Sequence, residues 1–233
     1  NPASTLTSSI EYYLNIDAAA FDDTSSNSYA GISNATTLNF TVLDTTNPTL
    51  TTLSPSDGAT GVAVDANIVL TFSEAVDVES GHITIMNTST STALETIAVS
   101  DAKVTGTGTT QITINPAATM LSNTAYHILI DAAAFDDAAS NSFTGIDDAT
   151  TLNFTIADVN APTLSTSSPS DDATEIAFNA NIVLTFNEAV DVESGNITIK
   201  KTADDSTVET IAVTDSKITG TGTTQITINP AST

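Results

Sequence analysis

The chain has 233 residues and a formal net charge of −24, because 28 acidic residues stand against four lysines and no arginine. Such a surface excludes nucleic acid and anionic membranes as partners. Hydrophobic residues make up 40% of the chain, which predicts packed domains rather than disorder. Cysteine is absent, which excludes disulfides and thiolate metal sites, and no apolar run approaches the roughly 18 residues that membrane insertion as a helix requires.

Residues 1–46 are predicted to be the C-terminal part of a domain. Alternating apolar and polar residues predict one strand at 12–16 and a second at 37–42. The acidic loop 17–36 joins them. Residues 44–48 are predicted to be a linker, because the proline in them ends ladder pairing and Asp and Asn favour turns.

Residues 47–160 are predicted to form one complete domain. The same alternation predicts seven short strands, at residues 48–54, 66–73, 82–87, 93–100, 110–115, 124–131 and 150–157. The residues predicted to face inward are Ile68, Leu70, Phe72, Ile83, Ile85, Ile97, Val99, Ile112, Ile114, Tyr126, Ile128, Ile130, Leu152, Phe154 and Ile156. No helical periodicity lasts beyond a turn. Seven short strands in about 110 residues predict an immunoglobulin-like β-sandwich.

Residues 161–233 repeat the first part of the complete domain. The whole chain repeats itself without a gap at an offset of 114 residues, so that the stretch 16–27 recurs almost unchanged at 130–141. Residues 161–233 are therefore predicted to be the N-terminal part of a third domain. The predicted fold is all-β, a tandem array of Ig-like β-sandwich domains in which one intact repeat is flanked by two partial ones.

Three stretches of the intact repeat carry a family resemblance: residues 48–60, which contain Ser-Pro-Ser-Asp-Gly, residues 68–76, and residues 137–141. In this order they resemble the bacterial Ig-like repeats of giant surface adhesins and surface-layer-associated proteins. The resemblance covers the whole repeat and implies an extracellular structural protein. The chain departs from the family at Ser26 and Ser140, where the family often has glycine before the asparagine.

A tyrosine at the start of a predicted strand also resembles a known feature of this fold. Tyr126 follows Met120 by six residues, and Tyr12 follows Leu6 at the same spacing. Both resemble a tyrosine corner, in which the hydroxyl bonds to the backbone a few residues upstream.

Acidic residues kept between the copies are candidate metal ligands. In a sandwich, the loops predicted at 73–81 and 131–149 emerge at one pole, where the linker from the preceding domain also enters. The candidates at this pole are Asp44, Asn47, Glu74, Asp77, Glu79, Asp131, Asp136, Asp137 and Asn141. A second linker is predicted at residues 158–162, which repeat residues 44–48. The candidates in this second linker and in the partial domains are Asp17, Asp22, Asp23, Asn27, Asp158, Asn160, Glu188, Asp191 and Glu193.

Calcium (Ca2+) is the predicted cofactor of this pole. Several carboxylates packed together without lysine or arginine repel one another, and a cation relieves that repulsion. Hard oxygen ligands suit calcium, which accepts about six to eight of them in flexible geometry. Two alternatives stay open: the acids only keep the surface soluble, or Asp131 caps its loop through backbone hydrogen bonds. Asp147 and Asp148 differ between the copies and are not predicted to bind the ion.

An enzyme is not predicted. His82 and His127 are replaced by Asn196 and Tyr13 in the other copies, so a histidine base or zinc ligand would work in one repeat only. Paired carboxylates could serve a glycosidase, but the chain lacks tryptophan and has few aromatic residues to hold a sugar. Residues 106–108, Gly-Thr-Gly, have no helix after them and predict a hairpin turn rather than a phosphate-binding loop.

The predicted function is a non-enzymatic segment of a bacterial cell-surface adhesin or fibre. Its tandem domains, stiffened by calcium at the junctions, would hold an adhesive tip away from the cell, with neighbouring repeats as partners. The alternative is a subunit of a self-assembling extracellular filament joined head to tail by strand complementation. A third candidate is an adhesin module with its own ligand, for which a concave aromatic patch would be expected.

The two partial domains are complementary. Residues 161–233 lack the last two strands of a sandwich, and residues 1–43 contain two such strands. An open sheet edge above an uncovered core predicts pairing with another chain. Since a whole domain separates the two parts, we expect residues 1–43 of one molecule to complete residues 161–233 of the next. In the alternative, the sequence is a piece of a longer covalent chain.

Overall fold

The structure is a computed structural model that describes residues 2 and 4–230. The described residues form strands and turns, which confirms the predicted all-β class. None of them belongs to a helix long and apolar enough to cross a membrane. The chain divides into two compact units, Asn1–Val159 and Asn160–Thr233. The three-domain division stays a prediction.

Residues 1–43, called the first segment below, form an antiparallel hairpin of β1 (Glu11–Tyr13) and β2 (Asn39–Thr41). Both strands are shorter than predicted. Between them, isolated bridges join Ile16 to Ile32 and Asp22 to Ser28.

Residues 47–160, called the intact domain below, form a sandwich of two five-stranded sheets. The strands are β3 (Leu50–Ser54), β4 (Ala59–Val62), β5 (Ile68–Val78), β6 (His82–Asn87), β7 (Thr92–Ala98), β8 (Val104–Thr105), β9 (Thr109–Ile114), β10 (Ala125–Ile130), β11 (Phe135–Asp136) and β12 (Asn153–Ile156). One sheet has the order β4-β12-β10-β6-β7, and the other has the order β11-β5-β9-β8 with β3 also paired to β5. β4 and β12 are parallel, and the other pairs are antiparallel.

The core of the intact domain contains every residue predicted from the alternation, since all fifteen predicted inward-facing residues are no more than 3% exposed. Six further buried residues were not predicted: Val76, Met120, Ala134, Phe135, Phe143 and Ile146. The ring centroids of Phe135 and Phe143 lie 5.5 and 5.3 Å from that of Phe72. Aromatic contacts of this kind add to the burial energy of the side chains.

The end of β5 was predicted wrongly, and three of the ten strands of the intact domain were not predicted: β4, β8 and β11. Residues 73–78 are not part of a loop, because β5 continues to Val78 and its last residues pair with β11. The strand β4 was not predicted, since the turn signal at 54–58 precedes a polar stretch with no clear alternation. β4 is held by β12, whose residues lie far away in the sequence.

The tyrosine corners are confirmed in both copies. The Tyr126 hydroxyl accepts a hydrogen bond from the backbone N–H of Leu121 at 3.0 Å. The Tyr12 hydroxyl accepts one from Thr7 at 3.1 Å. The hairpin turn predicted at residues 106–108 is also confirmed, since it joins the antiparallel strands β8 and β9.

The second unit contains β13 (Leu164–Ser168), β14 (Ile182–Val190), β15 (Asn196–Lys200), β16 (Thr207–Ala212), β17 (Ile218–Thr219) and β18 (Thr223–Ile228). β13, β14, β18 and β17 form one sheet, and β15 and β16 form a second, two-stranded one. Its buried core comprises Ile211, Ile226 and Ile228 among the described residues, and is smaller than that of the intact domain.

Glu95 of β7, to which the sequence analysis gave no such role, forms a salt bridge with the residue before β8 and accepts backbone hydrogen bonds from the chain after β9. Lys103 Nζ donates to Glu95 Oε1 at 2.8 Å, and the backbone N–H groups of Ala117 and Ala118 donate to Glu95 Oε2 at 2.9 Å each. Burial raises the pKa of Glu95, but the hydrogen bond and charge of Lys103 and the two backbone donors lower it overall.

We expect Glu95→Gln to lower the free energy of unfolding of the intact domain by about 1–2 kcal/mol at pH 7. Because the folded-state pKa is lowered, this stabilisation is present above the unfolded-state pKa and is lost as pH falls through the folded-state pKa. Denaturant titrations should therefore show a smaller difference between Glu95→Gln and the unsubstituted chain at pH 3 than at pH 7. Asp147→Asn, at an exposed carboxylate, is the control; an equal difference at both pH values would contradict the prediction.

Candidate metal site

Three carboxylates meet where the linker enters the intact domain. Oxygens of Asp44, Glu74 and Asp137 all lie within 4.8 Å of one another. Asp44 follows β2 in the linker, Glu74 lies within β5, and Asp137 directly follows β11. The linker and the two stretches predicted as the loops of the pole, residues 73–81 and 131–149, thus each contribute one residue. We call these three residues the junction cluster.

Glu74 lies on the inward face of β5. The side chains two positions away on either side, Phe72 and Val76, are buried, and residues at this spacing share one face of a strand. The ladder between β5 and β9 shifts register in this stretch, which is typical of a bulge near a sheet edge. Burial first, and then the charges of Asp137 and Asp44, raise the pKa of Glu74.

Asp137 is only 6% exposed and anchors a tight loop. Its Oδ1 accepts hydrogen bonds from the backbone N–H groups of Ala139 and Asn141 at 2.8 Å each, and its Oδ2 accepts one from Asn141 Nδ2 at 2.8 Å. Ser140 adopts φ +66°, a left-handed conformation that favours glycine. The loop holds the Asp137 carboxylate in one place.

Asp44 is held from the side of the first segment. Hydrogen bonds from Ser9, from the backbone N–H of Thr46 and from Ser8 lower the pKa of Asp44 to about 2. The Ser8 hydroxyl donates to Asp44 Oδ1 at 2.9 Å. Asp44 is therefore ionised at neutral pH.

No basic side chain compensates the junction cluster. Among the described residues, the ion pairs of lysine and histidine reach Glu95, Asp131, Asp205 and Glu209, and none reaches the cluster. Next to Asp137, the Oδ1 atom of Asp136 is buried without a hydrogen-bond partner. The uncompensated carboxylates of the cluster fit a hard divalent cation such as calcium, which prefers oxygen ligands.

Four other predicted ligands of the pole lie outside the junction cluster: Asn47, Asp77, Glu79 and Asp131. Asp131 Oδ2 accepts a hydrogen bond from the backbone N–H of His82 at 2.9 Å, so it caps the start of β6 rather than the loop that follows it in the sequence. Asp77 is exposed, and its Oδ1 accepts a hydrogen bond from Thr107 in the β8–β9 turn at 3.1 Å. Glu79 is exposed, and so is Asn47.

The candidate ligands of the first segment lie in a loop like the one that Asp137 anchors in the intact domain, but here the side chains are exposed. Asp23 Oδ1 accepts from the backbone N–H groups of Ser25 and Asn27 at 2.8 Å each, as Asp137 does in the intact domain. Asp17, Asp22, Asp23 and Asn27 are all exposed.

In the second linker, Ser122 donates to Asp158 Oδ1 at 2.9 Å, which repeats the contact of Ser8 with Asp44. In the second unit, Asp191 accepts from Thr221 at 3.1 Å, as Asp77 does from Thr107. The remaining candidates of the second unit are Asn160 and Glu193, which are exposed, and Glu188, which is partly buried.

Sequence comparison between the copies gave Asp148 no role because Asn34 replaces it. In the structure, Asp148 Oδ1 accepts from the backbone N–H groups of Thr150 and Thr151, and Asn34 Oδ1 accepts from Thr36 and Thr37. The turn needs a side-chain oxygen rather than a charge, and both residue types supply one. An Asp or Asn followed two residues later by Thr-Thr is the signal that could have identified this turn.

Comparison with known proteins places these observations in a family. The sequence profile of the family described as bacterial Ig-like domain matches residues 44–156 and 158–233. No curated protein matches the chain significantly. Among solved structures, CopC from Methylosinus trichosporium OB3b is similar to 49% of this chain and 97% of its own length, with a TM-score of 0.36 and 14% sequence identity.

Proposed function

This chain belongs to the bacterial Ig-like domain family, and on that premise we propose that it is a calcium-stiffened, non-enzymatic segment of a bacterial cell-surface adhesin or fibre. The family predicted from residues 48–60, 68–76 and 137–141 is confirmed. It suggests a surface or structural domain in bacteria, and its members are typically not enzymes. Beyond what the family suggests, we propose that the protein is extracellular, that it belongs to an adhesin or fibre, and that it binds calcium.

The junction cluster is the observation that supports calcium. Its three residues come from two sides of a junction: Asp44 from the linker, and Glu74 and Asp137 from the intact domain. A cation held by all three would join the linker to the domain that follows. Without a cation, the three carboxylates repel one another, and the linker loses one reason to stay close to β5.

Repetition extends this reasoning along an array. Glu188 stands at the position of Glu74 one repeat later, and Asp158 stands at the position of Asp44. A stiff junction in each repeat would keep a long array extended, which is what a spacer for an adhesive tip requires. In the intact domain the described aromatic contacts lie in the core, so the concave aromatic patch expected of a separate ligand-binding module has no counterpart there. In the first segment the exposed rings of Phe21 and Tyr29 line a concave surface.

The proposal is tested by isothermal titration calorimetry with calcium chloride. We expect the unsubstituted chain to bind calcium, and Glu74→Gln and Asp137→Ala each to weaken that binding at least about tenfold, because each removes one charged ligand. Asp147→Ala removes an exposed carboxylate of the same domain and should leave the affinity unchanged. Equal losses in Asp137→Ala and Asp147→Ala would show that calcium only screens the acidic surface. The absence of any saturable binding would overturn the calcium proposal.

A further inference from the structure

A serine in the turn before β1 holds the linker that follows β2. The Ser8 hydroxyl donates to Asp44 Oδ1 at 2.9 Å and lies 3.3 Å from the backbone oxygen of Leu43. The same hydroxyl accepts a hydrogen bond from the backbone N–H of Thr45 at 2.9 Å. Ser8 therefore contacts three consecutive residues that lie 35 to 37 positions later in the sequence. We call this set of contacts the serine clasp.

A second serine clasp occurs one repeat later, in the intact domain. The Ser122 hydroxyl donates to Asp158 Oδ1 at 2.9 Å and accepts a hydrogen bond from the backbone N–H of Val159 at 2.9 Å. The residue after each serine has a left-handed backbone, with φ 60° at Ser9 and φ 52° at Asn123. Because the contacts and the turn agree in both copies, the clasp is a feature of the repeat.

The tyrosine corner places the serine within reach of the linker. The Tyr12 hydroxyl accepts a hydrogen bond from the backbone N–H of Thr7, the residue directly before Ser8. The hydroxyl of Tyr126 anchors the residue directly before Ser122 in the same way. A tyrosine in a strand thus fixes the turn from which the serine binds the linker.

The clasp acts on the one linker residue that belongs to the junction cluster. Ser8 and the backbone N–H of Thr46 both donate to Asp44 Oδ1, at 2.9 and 3.0 Å. These two bonds restrict the rotation of the carboxylate without engaging Oδ2. A ligand that is already oriented loses less conformational freedom when it binds its partner, so binding is tighter.

Asp44 depends on such contacts more than the other two members of the junction cluster do. Glu74 lies within the strand β5, and Asp137 anchors its own loop through backbone hydrogen bonds. Asp44 lies outside the strands, in the linker. Its side chain is therefore positioned by hydrogen bonds, and Ser8 supplies one of them from outside the linker.

We propose that Ser8 is a positioning residue of the junction cluster, which orients Asp44 for the cation and connects the cation site to the first segment. This inference rests on the calcium site proposed above and adds a residue that is not a ligand. A cation bound by the cluster would be tied through Ser8 to the turn that Tyr12 anchors. Without the cation, the linker and this turn would move together relative to the intact domain.

Isothermal titration calorimetry of the 233-residue chain with calcium chloride tests the positioning role. Ser8→Ala should weaken binding about tenfold, because loss of a hydrogen-bonded partner of a metal ligand costs about 10–100-fold in affinity. Ser8→Thr keeps a hydroxyl and should bind calcium as the unsubstituted chain does. Ser122→Ala makes the same change at the second clasp, whose Asp158 is not a member of the junction cluster, and should leave the affinity unchanged.

Amide hydrogen exchange in chelator tests each clasp without calcium. Ser8→Ala removes the acceptor of the Thr45 N–H and should accelerate exchange there, and Ser122→Ala should do the same at Val159. Each substitution should leave the amide of the other clasp unchanged, which shows that the chain stays folded. Unchanged exchange of Thr45 in Ser8→Ala would overturn the inference, because the clasp would then not hold the linker.

The combined outcomes separate this inference from the calcium proposal. If the unsubstituted chain binds no calcium, both fail. If it binds calcium and Glu74→Gln weakens that binding while Ser8→Ala does not, only the positioning role of Ser8 is overturned. Equal losses of affinity in Ser8→Ala and Ser122→Ala would also overturn it, since the effect would not be specific to Asp44. Equal losses in Ser8→Ala and Ser8→Thr would do so because the hydroxyl would not be the group that matters.

Discussion

Replacing Phe135 by alanine is expected to lower the free energy of unfolding of the intact domain by about 3–5 kcal/mol. Phe135 is completely buried, and its ring lies 5.5 Å from that of Phe72. The substitution removes the transfer energy of the ring and leaves a cavity between β5 and the loop after β10. It also weakens the pairing of β11 with the end of β5, next to the junction cluster.

The matched control is Phe21→Ala, which makes the same change one repeat earlier. Because Phe21 is 62% exposed in the isolated chain, its loss should change stability by no more than about 0.5 kcal/mol at concentrations where the chain is monomeric. Denaturant titration measures both values. Similar small losses in the two variants would mean that Phe135 does not close the core.

Much of the fold could be predicted from the local alternation of apolar and polar residues. The alternation around Phe72, Ile83, Ile112 and Tyr126 predicted the core because in a strand of a sandwich every second residue faces inward. The tyrosine corners were recognised by their resemblance to a known feature of this fold, on the spacing of Tyr126 from Met120 and of Tyr12 from Leu6. These features depend on neighbours in the sequence, and a single repeat is enough to recognise them.

Features that depend on distant strands could not be predicted in this way. β4 forms because β12 lies beside it, and β5 reaches Val78 because β11 pairs with its end. Phe135 and Phe143 lie in an irregular stretch, where no alternation marks them as buried. Sequence repetition found that their positions recur, but it could not show on which face they lie.

For the candidate site, repetition identified the acids but not their roles. Asp137, Asp77 and Asp131 are all kept between copies, yet only Asp137 lies in the junction cluster. Asp77 accepts a hydrogen bond from the β8–β9 turn, and Asp131 accepts one from the backbone at the start of β6. Both contacts stabilise the fold itself, which explains why these residues recur without binding a metal. Glu74 had a more specific signal, because it interrupts an inward-facing apolar row between Phe72 and Val76.

Calcium is expected to make the linker at residues 44–47 as rigid as the domain that follows it. Asp44 is the linker residue in the junction cluster, and a cation would bind it together with Glu74 and Asp137. Without the cation, repulsion among the three carboxylates favours arrangements in which the linker moves away. Backbone order parameters of about 0.85 are typical of rigid segments, and values below about 0.6 are typical of flexible ones.

Two variants separate the effect of the site from that of general charge screening. In Glu74→Gln the linker should stay mobile with or without calcium, because the cluster has lost one of its charged ligands. In Asp147→Asn the linker should become rigid as in the unsubstituted chain, because Asp147 is an exposed residue outside the cluster. Rigidity gained equally in both variants would indicate that calcium acts through the overall acidic surface.

The most direct test of calcium stiffening is therefore ¹⁵N relaxation of the backbone amides of residues 44–47, recorded in calcium and in chelator at a concentration where the chain is monomeric. We predict that the order parameters rise from below about 0.6 in chelator to about 0.85 in calcium, and that Glu74→Gln abolishes this rise. Identical order parameters in calcium and chelator, under conditions where calorimetry shows the site to be saturated, would contradict the proposed role of calcium at the junction.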